Sequence, residues 1–238
     1  MRVLELFSGT GSIGRAFQAL GWGVVSLDID PSCNPTHAVC ILSFDFRAYP
    51  RDHFNFVWAS PVCTHYSVAR TTGGPRDLPS ADRLVQRTLE VVEYFGCHFA
   101  FENPQSGLLK TRAVVSGIPF VDTSYCRYGY PYRKTTRIWS SLAPELARRL
   151  RPPCSLKNPC TVMVGKRHPK TAQQSRRSCD RTDTDNTCSR AQLYSIPADL
   201  CEDIAAEVLV LTQSHAVADS PNAGADVQAP GTFISEVL

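Results

Sequence analysis

The stretch Phe54-Asn-Phe-Val-Trp-Ala-Ser-Pro-Val-Cys63-Thr-His-Tyr-Ser67 decides how the chain folds around its site. Its apolar first half predicts a buried strand that ends at Ser60-Pro61, because proline fixes its own φ and disfavours helical conformation in the residue before it. Cys63 is therefore expected on a loop at the carboxyl end of a strand, where open α/β sheets bind ligands. A cysteine is more often a small buried hydrophobe, so the neighbouring segments must decide its role.

Around this stretch, short apolar runs alternate with segments of helical period over residues 1–146. The pattern predicts an α/β fold with a doubly wound, mostly parallel sheet that is covered on both faces. The predicted strands are Arg2–Phe7, Gly23–Leu27, Ala38–Phe44, Phe54–Ala59, Cys97–Phe101, Val121–Tyr125 and Thr136–Ser140. The predicted helices are Ser12–Leu20, Ala81–Phe95 and Ala198–Leu211, the second of them beginning after Ser80.

The length of 238 residues allows one substantial core and a small second lobe. The chain has no apolar run of the roughly 18 residues that a membrane span needs, and Met1 leads directly into a predicted strand. We therefore expect no signal peptide and no membrane partner. Ten cysteines without such a signal point to a reducing, intracellular compartment, in which metal or catalytic roles outrank disulfides.

Charge and composition set the C-terminal third apart. Residues 147–190 carry eleven Lys and Arg against three Asp, and no helical or strand period is visible from about residue 150 to residue 189. Such a basic segment marks either a surface that faces a polyanion or a solvated loop. We predict a core over residues 1–146, a short basic lobe over 147–190, a helix that returns to the core over 191–212 and a disordered tail over 213–238.

A glycine-rich turn lies between the first predicted strand and the first predicted helix. In Gly9-Thr-Gly11-Ser-Ile-Gly14 the glycines allow a tight turn and the close approach of a ligand. The second strand ends in Asp28, whose carboxylate is suited to bind both hydroxyls of a ribose, whereas Asp30 is expected to cap the turn at Pro31. The ligand predicted from these residues is a nucleotide or S-adenosylmethionine, and glycines alone do not separate the two.

A thiol and a carboxyl group at neighbouring strand ends suit one reaction in particular. The C5 carbon of cytosine is too unreactive to take a methyl group directly, but a thiolate that adds to C6 makes C5 nucleophilic. A carboxyl group near N3 stabilises the charge that develops. Cys63 and Glu102, in Glu102-Asn103-Pro104, offer this pair, although a polar strand end stopped by proline is an alternative reading of the second motif.

As a set, these motifs resemble those of the DNA (cytosine-5) methyltransferases, and the resemblance covers roughly residues 1–142. The matching segments are Gly9–Gly14, the turn from Ser60 to Ser67, Glu102-Asn103-Pro104-Gln-Ser-Gly107 and Arg133-Lys-Thr-Thr-Arg137-Ile-Trp139, in the family's order. The set is similar to the compact enzymes of phages and large viruses. The implied fold is the Rossmann-like, doubly wound sheet of S-adenosylmethionine-dependent methyltransferases with a small irregular recognition lobe.

The resemblance also implies a function and roles for single residues. It implies methyl transfer from S-adenosylmethionine to C5 of cytosine in double-stranded DNA, with Cys63 as the nucleophile at C6, Glu102 as the acid at N3 and Arg137 as a group that orients the ring. The implied cofactor-binding residues are Phe7, Gly9, Gly11, Gly14, Asp28 and Asp45. The helix Ala198–Leu211 resembles the segment that packs beside the first motif, and a monomer is expected.

Three departures from the family pattern qualify the resemblance. Val62 stands directly before Cys63, where the family has proline. The segment Val39–Ser43 lacks the acid that the family places near the adenine, so Asp45 is the substitute, one strand position further on. The usual Glu-Asn-Val is Glu-Asn-Pro, which leaves the acid in place.

The basic lobe also contains potential metal ligands, namely Cys154, Cys160, His168, Cys179 and Cys188. An irregular segment without a core often needs a metal to fold, but these spacings do not match a Cys-x-x-Cys pair. A structural zinc ion and unpaired surface thiols both remain open, and we assign no metal ligands. We expect the lobe's cations to contact phosphate, and the loop Val68–Pro79, with Arg70 and Arg76, to close over an extruded cytosine.

Two other functions remain compatible with the sequence. The same chemistry on RNA would use the same catalytic residues. A catalytically weak protein that binds the cofactor and DNA would explain Val62 and the missing acid, but it would not explain why both Cys63 and Glu102 are present.

Overall fold

The computed structural model describes residues 1–68, 74–172, 188 and 190–218. Seven strands form one sheet in the order β3-β2-β1-β4-β5-β7-β6. The strands are β1 Arg2–Leu6, β2 Gly23–Asp28, β3 His37–Ala38, β4 Phe56–Ala59, β5 His98–Pro104, β6 Phe120–Ser124 and β7 Thr135–Ser140. The predicted α/β fold class with a mostly parallel, doubly wound sheet is confirmed.

The direction of the strands determines which loops meet. Strands β1 to β5 pair in parallel, while β7 runs antiparallel to both β5 and β6. The chain passes from β1 to β2 on one side and then crosses to β4 on the other, so that β1 and β4 form the switch point of the sheet. Carboxyl ends beside such a switch point form a crevice for ligands. The amino end of β7 lies at the same edge, because Thr136 pairs with Pro104 at the end of β5.

Helices cover both faces of the sheet. They are α1 Ser12–Ala19, α2 Leu78–Phe95, α3 Ala143–Arg149, α4 Arg190–Tyr194 and α5 Ala198–Ala218. On one face, α1 and α5 bury Phe17 and Ile204 in a cluster that includes Phe56 and Trp58. On the other face, α2 buries Val85 and Phe95 in a second cluster. The early helix and the last helix are thus neighbours in space, as expected for a C-terminal segment that packs beside the first motif.

The predicted start of α2 is wrong by three residues. The helix begins at Leu78, and the carboxylate of Asp77 accepts the amide N–H of Ser80 at 2.9 Å. Pro79 is compatible with this start because its missing N–H falls in the first turn, where amide groups have no partner within the helix. Gly96 ends the helix in the left-handed conformation, with φ of 60°.

The predicted strand Ala38–Phe44 is also wrong. Only His37 and Ala38 pair with β2, and the chain then forms short 3₁₀ turns at Ile41–Ser43 and Phe46–Ala48. Ile41, Phe44 and Phe46 are buried while Leu42 and Ser43 are exposed. This spacing suits a turning backbone and not the alternation of a strand.

Beyond β7 the chain is less regular. Helix α3 crosses the predicted boundary at residue 146, and residues 150–172 contain no helix and only an isolated bridge between Val164 and Arg167. Helix α5 continues to Ala218, past the predicted end at Leu211 and into the segment predicted to be disordered. The limits of the lobe and the disorder of the tail remain predictions, since residues 173–187 and 219–238 lie outside the described part. None of the described helices is long and apolar enough to cross a membrane.

Candidate active site

A cavity of about 710 Å³ opens at the carboxyl ends of β1, β4 and β5. Its size falls within the usual range for small-molecule and cofactor sites. The cavity joins the glycine-rich turn after β1, the cysteine loop after β4 and the end of β5. Among the residues that line it are Phe7, Gly9, Asp28, Cys63, Glu102 and Lys134.

The glycine-rich turn is built by hydrogen bonds to its own backbone and to β2. Gly9 and Gly11 adopt φ of 47° and 65°, a left-handed conformation that glycine adopts at little cost. The Gly9 amide donates to the Asp28 carboxylate at 2.7 Å, and the other Asp28 oxygen accepts the Asp30 amide at 2.9 Å. Asp28 is thereby held at the mouth of the cavity, facing the turn.

Gly14 is required for a different reason. A Cβ atom at this position would lie 2.6 Å from the Glu5 carboxylate and 3.1 Å from Val24. Glu5 is buried at the end of β1, where it accepts the amide N–H of Ile13 at 3.2 Å. Burial raises the pKa of Glu5 to about 7, against the lowering effect of hydrogen bonds from the Gly14 and Ile13 amides. The first turn of α1 is therefore held against a buried acid that lines the cavity.

Phe7 has a backbone conformation that is unusual for its residue type. Its φ is 55°, a left-handed value that costs a residue with a side chain about 1–3 kcal/mol. The Ser8 amide, which follows it, is fixed by a hydrogen bond to the Leu27 carbonyl at 3.0 Å. The chain thus leaves β1 sharply, and Phe7 lines the cavity beside Gly9.

The cysteine loop is anchored at both ends. The side-chain amide of Asn103 donates to the Pro61 carbonyl at 2.8 Å, which joins the loop to the end of β5. The Tyr66 amide donates to the Cys63 carbonyl at 3.0 Å, and the Tyr66 hydroxyl donates to Asp82 on α2 at 2.8 Å. Asp82 in turn accepts two N–H groups of Arg112. Cys63 therefore lies on a short, braced loop, although its neighbour Val62 is 48% exposed.

The surroundings of Cys63 determine its protonation. Burial raises the pKa of its thiol, the Lys134 ammonium opposes this shift and the Glu102 carboxylate adds to it. The thiol is the dominant form at neutral pH before any substrate binds. A nucleophilic role would therefore require a proton to leave when the reaction begins.

Glu102 is buried on β5 among three polar groups. Its Oε1 atom accepts hydrogen bonds from the Tyr125 hydroxyl at 3.3 Å and from the Thr136 hydroxyl, and the Lys134 ammonium lies 3.8 Å away. All three contacts are made to the same carboxylate oxygen. Glu102 also lines the cavity, so this buried acid is both held by its neighbours and accessible to a ligand there.

The structure does not bring Arg137 into this group. Arg137 donates to the Asp122 carboxylate at 2.7 and 2.8 Å and lies over the Phe120 ring. Adjacent strand residues point to opposite faces, and Thr136 is the one that faces Glu102. The predicted contact of Arg137 with a substrate ring is thus not supported by its position.

Asp45 is also placed away from the cavity. It is exposed and precedes the 3₁₀ turn Phe46–Ala48. Because β3 has only two residues, the chain leaves the sheet edge before it reaches Asp45. Of the other predicted residues, Gly11 and Gly14 shape the turn without lining the cavity, whereas Phe7, Gly9, Asp28, Cys63 and Glu102 line it.

Three polar residues of the site were not predicted. Lys134 and Tyr125 contact Glu102, and Glu5 fixes the glycine-rich turn. Lys134 lies in the motif that includes Arg137, two positions before Thr136, so strand alternation within that motif could have indicated it. Tyr125 gives no comparable signal, because its approach to Glu102 depends on how β6 and β7 fold back on the sheet.

Comparison with solved structures finds methyltransferases. The chain shares 15% identity and a TM-score of 0.43 with the Entamoeba histolytica methyltransferase EhMeth, and it covers 52% of that protein. It shares 19% identity and a TM-score of 0.41 with the S. pombe Dnmt2 methyltransferase, covering 48% of that protein. The chain thus spans about half the length of these structures.

Comparison of sequences gives a stronger match. No family model matches the chain. A protein of Frog virus 3 (isolate Goorha), described as a probable DNA (cytosine-5)-methyltransferase, is 34% identical over 158 residues. The match covers 60% of the present chain and 71% of the viral protein. With this identity and coverage, the chain belongs to the DNA (cytosine-5)-methyltransferase family.

Proposed function

We propose that the protein methylates C5 of cytosine in DNA through a covalent bond between Cys63 and C6. The observation that supports this proposal best is that one cavity contains both the Cys63 loop and the Glu102 carboxylate, next to the glycine-rich turn. The side-chain amide of Asn103 links the Cys63 loop to β5, the strand of Glu102, because it donates to the Pro61 carbonyl. The name of the viral relative supports DNA as the substrate.

The residues around the glycine-rich turn fit S-adenosylmethionine, the methyl donor of this family. Gly9 of the turn lines the cavity, and the Asp28 carboxylate lines it from the end of the neighbouring strand β2, next to Gly9. Phe7 lines the same end of the cavity, where its aromatic side chain would contact the adenine of the cofactor. When bound, S-adenosylmethionine supplies an activated methyl group that leaves as the C5–CH₃ bond forms.

In the proposed reaction Cys63 acts as the nucleophile. Its thiol loses a proton to solvent, the sulfur forms a bond to C6, and the electrons of the C5–C6 double bond move toward N3. Lys134 favours the thiolate electrostatically, since its ammonium lowers the pKa of Cys63 against the effect of burial. After methyl transfer, loss of the C5 proton to solvent or a base re-forms the C5–C6 double bond, the C6–S bond breaks to release the Cys63 thiolate, and the thiolate takes a proton from solvent.

In the same reaction Glu102 acts at N3. A proton from its carboxyl group, placed on N3, would neutralise the negative charge that Cys63 addition creates on the ring, and it would return when the sulfur leaves. The Tyr125 and Thr136 hydroxyls orient the carboxyl group by their hydrogen bonds to Oε1. In this proposal Oε2, the oxygen outside these contacts, is the one that exchanges the proton with N3.

The target base must leave the DNA stack for this chemistry, because C5 and C6 are otherwise covered. Arg76, in the segment expected to close over the base, donates to the Ser67 carbonyl at 2.9 Å, while Arg70 lies outside the described residues. Arg176 and Arg177 of the basic lobe also lie outside them. Closure of this segment and phosphate contacts by the lobe remain part of the proposal.

The proposal is tested by covalent trapping. A duplex with 5-fluorocytosine and S-adenosylmethionine should give a protein–DNA adduct that survives denaturation, because fluorine blocks loss of the C5 substituent. Cys63→Ala should abolish the adduct, and Cys40→Ser should retain it. An adduct that persists in Cys63→Ala would refute the assignment, and an adduct formed on matched RNA but not on DNA would show that the substrate is RNA.

A further inference from the structure

Four metal-binding side chains meet outside the active site. Cys126, Cys154, Cys160 and His168 bring three sulfur atoms and one imidazole nitrogen within 4.8 Å of one another. The sequence indicated Cys154, Cys160 and His168 as members of the lobe but missed Cys126, which belongs to the core. Cys188 packs in the core beside α5, and Cys179 lies outside the described residues.

The distances match those expected around a tetrahedral zinc ion. Zinc binds sulfur at about 2.3 Å and histidine nitrogen at about 2.0–2.1 Å, which places the sulfur and nitrogen ligands about 3.6 Å apart. The His168 Nε2 atom lies 3.3 Å from the Cys160 sulfur and 3.8 Å from the Cys154 sulfur. The Cys126 sulfur lies within 4.8 Å of the other three ligand atoms.

The backbone between the cluster's ligands is held in a defined turn. The Met163 amide donates to the Cys160 carbonyl at 3.3 Å, directly after the cysteine. Between Cys160 and His168 the chain reverses in a tight turn, in which Val164 and Arg167 exchange both backbone hydrogen bonds and Gly165 adopts φ of 60°. The turn returns His168 to the cysteines.

The described part of the lobe has little hydrophobic core of its own. Cys154 and Cys160 cluster with Cys126, with Val162 and Met163 packed against them, whereas Leu150 and Cys188 pack in the cluster of the core. Residues 150–172 contain no helix and no strand besides the bridge at the turn. A segment with so little core usually depends on a metal or a disulfide for its fold, and the described cysteines are all unbonded.

We propose that Cys126, Cys154, Cys160 and His168 bind one structural zinc ion that fixes the basic lobe to the methyltransferase core. Three thiolates and one imidazole form a closed tetrahedral set, which leaves no position for a catalytic water. Such soft ligands select zinc over magnesium or calcium. Binding displaces the thiol protons to solvent, and the resulting negative charge faces a cationic surface formed by Arg133, Lys166, Arg167 and Lys170.

The position of Cys126 links the proposed zinc site to the candidate active site. Cys126 directly follows Tyr125, whose hydroxyl donates to Glu102 at 3.3 Å. Hydrogen bonds from the same segment also hold the lobe. The Ser124 hydroxyl accepts the Cys154 amide, and Arg127 donates to three carbonyls between residues 152 and 159. The metal would thus tie the lobe to the turn that orients the candidate catalytic acid.

The first test is the metal content of the full-length chain, purified without chelator and measured by mass spectrometry of the elements. The expected result is one zinc per chain, which a thiol-reactive mercurial releases. Cobalt substitution should give the absorption of a tetrahedral thiolate site. Folded protein with reduced cysteines and clearly less than one zinc, or a disulfide among these cysteines, would overturn the proposal.

Variants then identify the ligands. His168→Ala and Cys126→Ser should lower the zinc content well below one per chain, whereas Cys40→Ser, outside the cluster, should retain it. His168→Cys should keep the metal and strengthen the sulfur-to-cobalt charge-transfer band, because a fourth thiolate replaces the imidazole. If a variant fails to fold, the metal content and cobalt spectrum of the unaltered chain still decide the question. Full zinc content in a folded Cys126→Ser variant would show that the core does not contribute a ligand.

Discussion

Replacing Glu5 with glutamine should remove a pH dependence from the stability of the protein. Glu5 is only 3% exposed, and burial raises the pKa of its carboxyl group from 4.5 to about 7 in the folded chain. In the unfolded chain the group ionises near its ordinary value. Between these two pKa values the folded protein holds a proton that the unfolded chain has lost, so stability falls as the pH rises through this range.

The size of the effect follows from the two pKa values. Each unit of difference corresponds to about 1.4 kcal/mol, so Glu5 should cost the folded state about 3 kcal/mol above pH 7 relative to pH 4.5. The Glu5→Gln variant cannot ionise and should not show this loss. The hydrogen bond from the Ile13 amide can be kept by the glutamine carbonyl, and any packing change shifts the variant's curve equally at every pH.

The assay is urea denaturation of both proteins at several pH values between about 5 and 8. The difference in free energy of unfolding, variant minus original chain, should rise by about 2.5 kcal/mol across this range, because part of the total loss has already occurred at pH 5. Glu93→Gln, which removes an exposed carboxyl group from α2, is the matched control for a general change in net charge. Parallel curves for Glu5→Gln and the original chain would show that Glu5 does not ionise at a raised pKa, and the account of the turn would fail.

Three further predictions concern the same edge of the sheet. Gly14→Ala should destabilise the fold by about 1–3 kcal/mol and weaken S-adenosylmethionine binding in calorimetry, because its Cβ would lie 2.6 Å from the Glu5 carboxylate, while Gly74→Ala should do neither. Lys134→Met should raise the pKa of Cys63 further, so the pH profile of the 5-fluorocytosine trapping rate should shift to higher pH than in the original chain. An unshifted profile would exclude an electrostatic role of Lys134 toward Cys63. Arg137→Ala and Asp122→Asn should lower stability by similar amounts, about 1–3 kcal/mol, with equal trapping rates once folded, and a rate loss confined to Arg137→Ala would restore a catalytic role for that arginine.

The sequence predicted the parts of the site that follow directly from strand ends. A strand that runs into Ser60-Pro61 must turn, and a glycine-rich segment between a strand and a helix must come close to whatever binds there. Both features are local, so Cys63 and Gly9 could be placed at one edge of a parallel sheet without knowing the rest of the fold. The same reasoning failed at Asp45, since an apolar segment did not reveal that β3 ends after two residues.

Contacts that depend on long-range packing could not be predicted in the same way. The spacing between Cys126 and Cys154 gives no sign that they meet, because their approach requires β6 to end beside the lobe. The role that the resemblance implies for Arg137 depends in the same way on the face of β7 that its side chain takes, since a shift of one residue moves a side chain to the opposite face. Arg137 pairs with Asp122, and its neighbour Thr136 is the residue that contacts Glu102.

The antiparallel pair β6 and β7 explains how a short chain can assemble both a reaction site and a lobe anchor. Because β7 runs against β5, its first residues arrive where β5 ends, which brings Lys134 and Thr136 to Glu102. Because β6 runs antiparallel to β7, it ends at the same edge of the sheet. In the 3₁₀ turn that follows β6, Tyr125 contacts Glu102 and Cys126 lies beside the cysteines of the lobe. Tyr125 and Cys126 are adjacent residues of this 3₁₀ turn. If Cys126 is bound to the lobe as proposed, we expect a displacement of the lobe to alter the hydrogen bond from Tyr125 to Glu102, so that the position of the lobe influences the orientation of the proposed acid.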